Sequence, residues 1–426
     1  MTASEQEERA RLLRAWNGAR RSLAPSPVGG SIGARLARLS AEGAEAYDLS
    51  DWPDVYGNPD GIVGELERRT AAALGTESAA YFPTGTMAQQ AALRCWAGRT
   101  GNDTVAMHPL AHPVRWERDA LRQLTGLRVT TPTDAPRLPT AAEVRELADP
   151  FGTLALELPL REAGFLLPSW EELESTVAAA RERDAVVHID GARLWECTTH
   201  FGRTLPEIAS LADTVYVSFY KSLGGLSGAA LAGPETVIEE AAAWRHRYGG
   251  QIFQQWPAAL SALVGLEREL PRLPAYVAHA RVVAEALHGA LADAGTATEA
   301  GTGAEAGMGA VPEAATHAHR KGADTGAGRS GANAVSWWRV WPRVPHTHQF
   351  QVWLPYGAGE LTEAGARQAE ETGTLLFRRW TEPPGAPPGL AMTEVTVAAT
   401  GLSWSDEDVR EALAGFLGCL RMVTTG

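Results

Sequence analysis

The sequence predicts an α/β protein, with a large domain on a mostly parallel sheet and a smaller α+β domain after it. Three stretches carry that prediction. In DTVYVSFYKSLGGLSGAALAG, Asp213 to Gly233, a β-branched and aromatic run from Thr214 to Phe219 leads into Lys221 and a glycine-rich turn. In VVHIDGARLWE, Val186, Val187 and Ile189 make a second buried strand whose last residue, Asp190, meets a Gly-Ala turn. AAYFPTGTMAQQAALRCW adds a short apolar strand, a turn at Pro83 to Gly85 and a helix opening at Thr86. In parallel α/β sheets ligands bind beyond the carboxyl ends of the strands, so Asp190 and Lys221 fall on neighbouring strand ends facing one crevice.

The lysine stands out against the composition. Of 38 basic residues only Lys221 and Lys321 are lysines, and Lys321 lies in a Gly/Ala/Thr tract. Arginine cannot lose its proton to act as an amine nucleophile, whereas a desolvated lysine can. For Lys221 alone the alternative is an arginine-rich coding bias that spared one lysine. Asp190 weighs against that alternative, because a lysine and a carboxylate so placed are what pyridoxal phosphate needs. The lysine holds the aldehyde as an imine, and the carboxylate keeps the pyridine nitrogen protonated. Free N–H groups and the positive helix end at Gly85, Thr86 and Met87 would cradle the phosphate, although TGT alone is equally an ordinary N-cap.

Length and charge set the frame. A chain of 426 residues, 45% hydrophobic, is long enough for two domains sharing a core. A net charge of -13 without a long basic run argues against nucleic acid as a partner. No apolar stretch approaches the roughly 20 residues of a membrane span, and the charged opening EQEERARLLR has no apolar core of a secretory signal, so a cytoplasmic protein is expected. Cys95, Cys197 and Cys419, odd in number and without a CxxC pair, fit reduced buried thiols rather than disulfides or zinc, and no metal site is expected.

DVYG at Asp54 to Gly57, TGTMAQQ at Thr84 to Gln90, HIDGAR at His188 to Arg193 and the YKSLGG run together resemble, in order and spacing, the threonine aldolase family of fold-type I pyridoxal phosphate enzymes. The resemblance is strong from Leu49 to Gly250 and weak after Gln254. It implies residues 49–265 as the cofactor-binding domain, residues 1–48 as a helical arm packing on the small domain, and residues 266–426 as that small domain. It implies Lys221, His112 and Asp190 as catalytic residues. His112 would stack on the pyridine ring near the substrate's β-carbon, with Glu117 five residues on; a His before a Pro is otherwise a common structural choice. Arg193 would lie beside the cofactor's phenolic oxygen and pair with the substrate carboxylate. Tyr56 would reach into a neighbouring subunit's site, making the protein a homodimer or homotetramer, unless DVYGNPDG is simply a turn. The substrate would be a β-hydroxy-α-amino acid, cleaved to glycine and an aldehyde.

Departures from the family pattern bear on that activity. Leu158 stands where the family has Asn after the strand-end Glu157, no histidine precedes that strand, and Asn58 and Pro59 replace acidic residues. Phe253 takes the place of an arginine after Gly249-Gly250, with Arg245 or Arg247 left to contact the phosphate across a dimer interface or simply to be solvated, and Val397 lies near the place of a carboxylate-binding arginine. β-Elimination, other Cα–Cβ chemistry, or an idle cofactor-binding protein therefore stay open beside aldol cleavage.

The remaining elements follow from periodicity and breakers. Helices are expected at Ala3 to Leu23, Ser31 to Ser40, Val63 to Leu74, Ser169 to Ala180 and Glu235 to Arg247, then a long helix from Pro257 into the small domain. Ala292 to Ala334, rich in Gly, Ala and Thr, reads as a disordered surface loop. The strand QFQVWLP and a last helix, Ser405 to Arg421, with a Ser405–Asp408 capping box and a stripe of Val409, Leu413, Phe416 and Leu420, complete the chain.

Overall fold

A computed structural model describes residues 2–25, 30–300, 338–384 and 386–425. Seven strands form the main sheet: β1 (Ser78–Phe82), β2 (Thr104–Met107), β3 (Arg128–Thr130), β4 (Thr153–Glu157), β5 (Val186–Gly191), β6 (Thr214–Ser218) and β7 (Ala229–Gly233). Their order is β1-β7-β6-β5-β4-β2-β3, parallel throughout except for β7, which runs antiparallel to both neighbours. Central strands β5 and β6 are almost wholly buried on both faces, as a sheet covered on both sides requires; Val187, Ile189, Val215 and Val217 make one face apolar, while the other carries His188, Asp190, Thr214 and Tyr216. The predicted α/β class and the fold-type I architecture hold.

The helices of this part of the chain are α1 (Ala3–Gly18), α2 (Ile32–Ala46), α3 (Ile62–Leu74), α4 (Gly85–Thr100), α5 (Trp170–Arg181), α6 (Glu235–Arg247) and α7 (Trp256–Arg268), of which α3, α4, α5 and α6 pack on the sheet. The long helix expected from Pro257 is instead two, α7 and α8 (Leu273–Ala300), separated by a short 3-10 turn at Leu270–Arg272. Pro271 and Pro274 explain the break, since neither can donate to the preceding turn. The expected disordered segment also shortens: Ala292 to Ala300 continue α8, favoured by alanine's helix propensity, and positions 301–334 lie outside the described residues. A three-stranded antiparallel sheet, β9 (Gln349–Leu354) between β8 (Arg339–Trp341) and β10 (Ala391–Thr396), packs with α8, α9 (Ala358–Thr372) and α10 (Asp406–Thr425) around a second core. Ser405 and Asp408 cap α10 reciprocally, at 2.8 and 3.1 Å. α1 lies on α9, and α2 lies along α7. The three cysteines are free and buried. Among the described residues no helix is long and apolar enough to cross a membrane.

Candidate active site

Register brings the carboxyl ends of three strands level. Asp190 of β5 is paired across the sheet with Glu157 of β4 on one side and Tyr216 of β6 on the other, and Lys221 follows β6 by three residues. Beyond them lies a cavity of about 430 Å³ lined by Pro83 to Thr86, Gln89, His112, Glu117, Asp190, Tyr216, Tyr220 and Lys221. Six expected site residues thus meet there: Gly85, Thr86, His112, Glu117, Asp190 and Lys221.

Asp190 is held by a buried network. Its Oδ1 accepts from the Ala192 N–H at 3.1 Å and its Oδ2 from the Gln89 amide. Gln89 Oε1 is 2.6 Å from His188 Nε2, and His188 Nδ1 is 2.9 Å from Thr214 Oγ1, which also accepts from Trp96 Nε1. Gln89 accepts from His188, so its NH2 group must point at Asp190, which therefore acts as an acceptor. Burial keeps His188 neutral by pushing its pKa down to about 3. Burial raises the Asp190 pKa, and nearby Lys221 pulls it back. Burial also lowers the Lys221 pKa to about 8, aided by the Arg193 guanidinium and opposed by Asp190 and Glu157.

Glu157 carries the His112 turn. It accepts from the His112 N–H at 2.7 Å and the Arg161 N–H at 3.2 Å, while burial and the Asp190 charge push its pKa up to about 7. His112 Nδ1 sits 3.3 Å from Glu117 Oε1, and Glu117 Oε2 accepts from Gln90 Nε2 at 3.2 Å. The Glu117 carboxylate steadies the ring through Nδ1 and leaves Nε2 for the cavity that both residues line.

At the opposite end α4 begins. Thr84 caps it, its Oγ1 accepting from the Met87 N–H at 3.2 Å. A Cβ on Gly85 would stand 2.0 Å from Tyr216 Oη, so only glycine lets the helix end approach that phenol. Burial and the Asp190 charge hold Tyr216 protonated, able to donate. Three expected contacts do not line the cavity. The Met87 N–H is taken by its cap, and its sulfur packs against Gly250. Arg193 lies just outside, its guanidinium 5.3 Å over the Phe165 ring and its buried Nε without a partner. Tyr56 is on the surface, half exposed, in a left-handed conformation (φ 60°) that is uncommon outside glycine. Its ring meets Phe253 edge-on at 5.4 Å, and its N–H donates to the Phe253 carbonyl at 2.9 Å. Arg245 is buried and donates to the Tyr81 carbonyl and to Glu67, and Arg247 lies on the Trp244 ring; neither lines this chain's own cavity.

Sequence reading missed Gln89, His188, Glu157 and Tyr216. Gln89 had one available signal, since it lies one helical turn after Gly85 and so faces the same side of α4. The residues present fit pyridoxal phosphate: a buried lysine of lowered pKa, a fixed carboxylate facing it, and a helix N-terminus that only glycine permits, with Arg193 Nε and Ser218 Oγ buried without partners beside them.

A family model described as Beta-eliminating lyase matches residues 44–340, well over half of the chain. The chain belongs to the beta-eliminating lyase family. The family's cofactor is pyridoxal phosphate, and the protein is a threonine-aldolase-like, pyridoxal-phosphate-dependent lyase. The low specificity L-threonine aldolase of Escherichia coli strain K12 is 30% identical over 266 residues, 61% of this chain and 78% of that enzyme. Uncharacterized protein R102.4 of Caenorhabditis elegans is 29% identical over 245 residues, and the match spans only 59% of that protein. The crystal structure of a putative aromatic amino acid beta-eliminating lyase/threonine aldolase from Exiguobacterium sp. 255-15 superposes with a TM-score of 0.74 at 30% identity, covering 97% of this chain and 99% of that one.

Proposed function

We propose that the protein cleaves threonine or a related β-hydroxy-α-amino acid reversibly to glycine and an aldehyde. The observation that carries this is the His112–Glu117 pair opening into the same cavity as Lys221 and Asp190. Pyridoxal phosphate, when bound, supplies the electron sink that lets a Cα–Cβ bond break. Lys221, largely desolvated, would hold the aldehyde carbon of the cofactor and yield it to the substrate amine. Asp190 would hold the proton on the ring nitrogen, fixed for that task by Gln89 and the Ala192 N–H. Gly85, Thr86 and Tyr216 would receive the phosphate. His112 Nε2 would take the β-hydroxyl proton, with Glu117 steadying the ring through Nδ1. Arg193 would pair with the substrate carboxylate.

Leu158 favours a second reading, β-elimination. It is fully buried and offers no polar group where threonine aldolases place an amide, so a substrate hydroxyl finds one anchor fewer. Purified protein given threonine, allo-threonine, serine and aromatic β-hydroxy amino acids separates the readings: glycine and aldehyde support the first, ammonia the second, and neither product overturns both in favour of a cofactor-binding protein without turnover. The working form would be a homo-oligomer, because Trp52 is 87% exposed and Val55, Tyr56, Ile252 and Phe253 are also exposed, and its location would be cytoplasmic. An apolar surface of this kind fits a second copy of the chain.

A further inference from the structure

Glu196 is fully buried (0% exposed) in the 3-10 turn Leu194–Glu196 that follows β5, and His348 (3% exposed) immediately precedes β9 in the C-terminal core. The two form an ion pair through Glu196 Oε2 and His348 Nε2. The same carboxylate accepts from the hydroxyl of Ser222 at 2.9 Å, and Ser222 follows Lys221 directly. At its other nitrogen, His348 Nδ1 is 2.7 Å from the Val397 carbonyl, just beyond β10. A carbonyl oxygen only accepts, so Nδ1 carries a proton. Nε2 faces a carboxylate oxygen, so that contact is attractive only with a second proton between them. The unit is thus a histidine and a glutamate sharing one proton in a buried interface. Burial works against the charged ring, but the Glu196 charge outweighs it and raises the His348 pKa. The other groups facing His348 are Arg193, whose charge opposes protonation, and the Tyr276 ring of α8, stacked 6.0 Å away.

The rest of the lysine turn is tied to the sheet side: Gly225 N–H to the Phe219 carbonyl at 2.9 Å, Leu226 N–H to Ser261 Oγ of α7 at 2.9 Å, and Trp195 Nε1 to the Ser218 carbonyl at 2.9 Å. Ser222 alone among these links reaches, through Glu196, to the C-terminal core. We propose that Glu196, His348 and Ser222 form a buried latch through which the C-terminal core sets the position of Lys221, making Glu196 and His348 positioning residues for the cofactor lysine. The proposal rests on Lys221 being that lysine.

The test compares Ser222→Ala, Glu196→Gln, His348→Gln and the Glu196→Gln/His348→Gln double variant, each loaded with pyridoxal phosphate. All should trap the cofactor covalently with borohydride as the parent does. Each single variant should shift the pH midpoint of the visible absorbance of the lysine-bound cofactor by about one unit, because the charge and position of neighbours set that midpoint. The double variant should shift it no further than either single, since the pair acts as one unit. Unchanged midpoints accompanied by a lower melting temperature would reduce the pair to a structural contact and overturn the latch. Should the Glu196 or His348 variants fail to fold, Ser222→Ala decides alone, as it removes one hydroxyl only. Trapping that persists in Lys221→Ala protein would instead refute the lysine assignment on which the latch depends.

Discussion

At the carboxyl edge of the main sheet, Asp190, Gln89, His188 and Thr214 satisfy one another inside a single chain, whereas at the rim Trp52, Val55, Tyr56, Ile252 and Phe253 are left uncovered. The first region has its polar groups paired and its apolar neighbours buried, so it is preorganised before any ligand arrives. The second has an apolar surface held in place by a strained Tyr56 and two backbone-directed hydrogen bonds, from the Tyr56 N–H to Phe253 and from Gln251 to the Tyr56 carbonyl. Rigid anchoring of exposed aromatic groups has little value to an isolated chain. The contrast supports the proposal that one chain furnishes what binds the cofactor and leaves the substrate side for a neighbour to finish.

The sharpest way to break the comparison is at Lys221. Lys221→Ala should lose covalent cofactor trapping and the associated visible absorbance entirely. If trapping survives, the preorganised edge is not the cofactor site. Asp190→Asn keeps the shape of the network but removes its charge, and turnover should fall by on the order of a hundredfold or more, as for loss of a preorganised electrostatic group. Retained trapping with lost turnover is the expected pattern; undiminished turnover would make Asp190 structural.

A smaller effect concerns pH. Only the neutral amine attacks an aldehyde, and a pKa of about 8 leaves Lys221 roughly one-tenth neutral at pH 7, against about one part in several thousand for an ordinary lysine. Covalent uptake of pyridoxal phosphate by cofactor-free protein should therefore rise about tenfold per unit below pH 8 and level off above it. The Asp190 charge raises the lysine's pKa, so Asp190→Asn should move the plateau to lower pH. Uptake still climbing steeply beyond pH 9 would show that the cavity does not desolvate the amine.

The sheet and its two chemical residues were legible in the sequence because their signals are local. Strand, polar end and glycine turn lie within ten residues of one another at both Asp190 and Lys221, and the near absence of other lysines isolates Lys221. The supporting groups were not legible because their partners are distant: Gln89 meets Asp190 across 101 positions and His188 across 99. Nothing in the pattern around Glu157 announces a carboxylate that will carry the backbone of His112, 45 positions earlier. The cap on Met87 was not legible for a local reason, since a helix N-terminus offers several N–H groups and the sequence does not say which one the Thr84 side chain takes. The proline break between α7 and α8 lay in plain view at Pro271 and Pro274, and the apolar periodicity on either side masked it.

The last prediction sharpens the comparison at the rim and has the smallest expected signal. Tyr56 does not line its own chain's cavity, and its exposed ring, steadied by Phe253, is free to enter a neighbour's. Lys221→Ala chains lack the amine, and Tyr56→Ala chains would lack the group they lend, so each should be inactive alone. When the two are mixed equally under conditions that let subunits exchange, about half of the dimers are hybrids. A hybrid holds one site with both defects and one with neither, so activity should return to about a quarter of the parent value. Subunit exchange is checked independently by mass, with one chain labelled. No recovery despite complete exchange would put Tyr56 in its own chain's site. The exposed apolar rim would then need an explanation other than completion of a neighbour's active site.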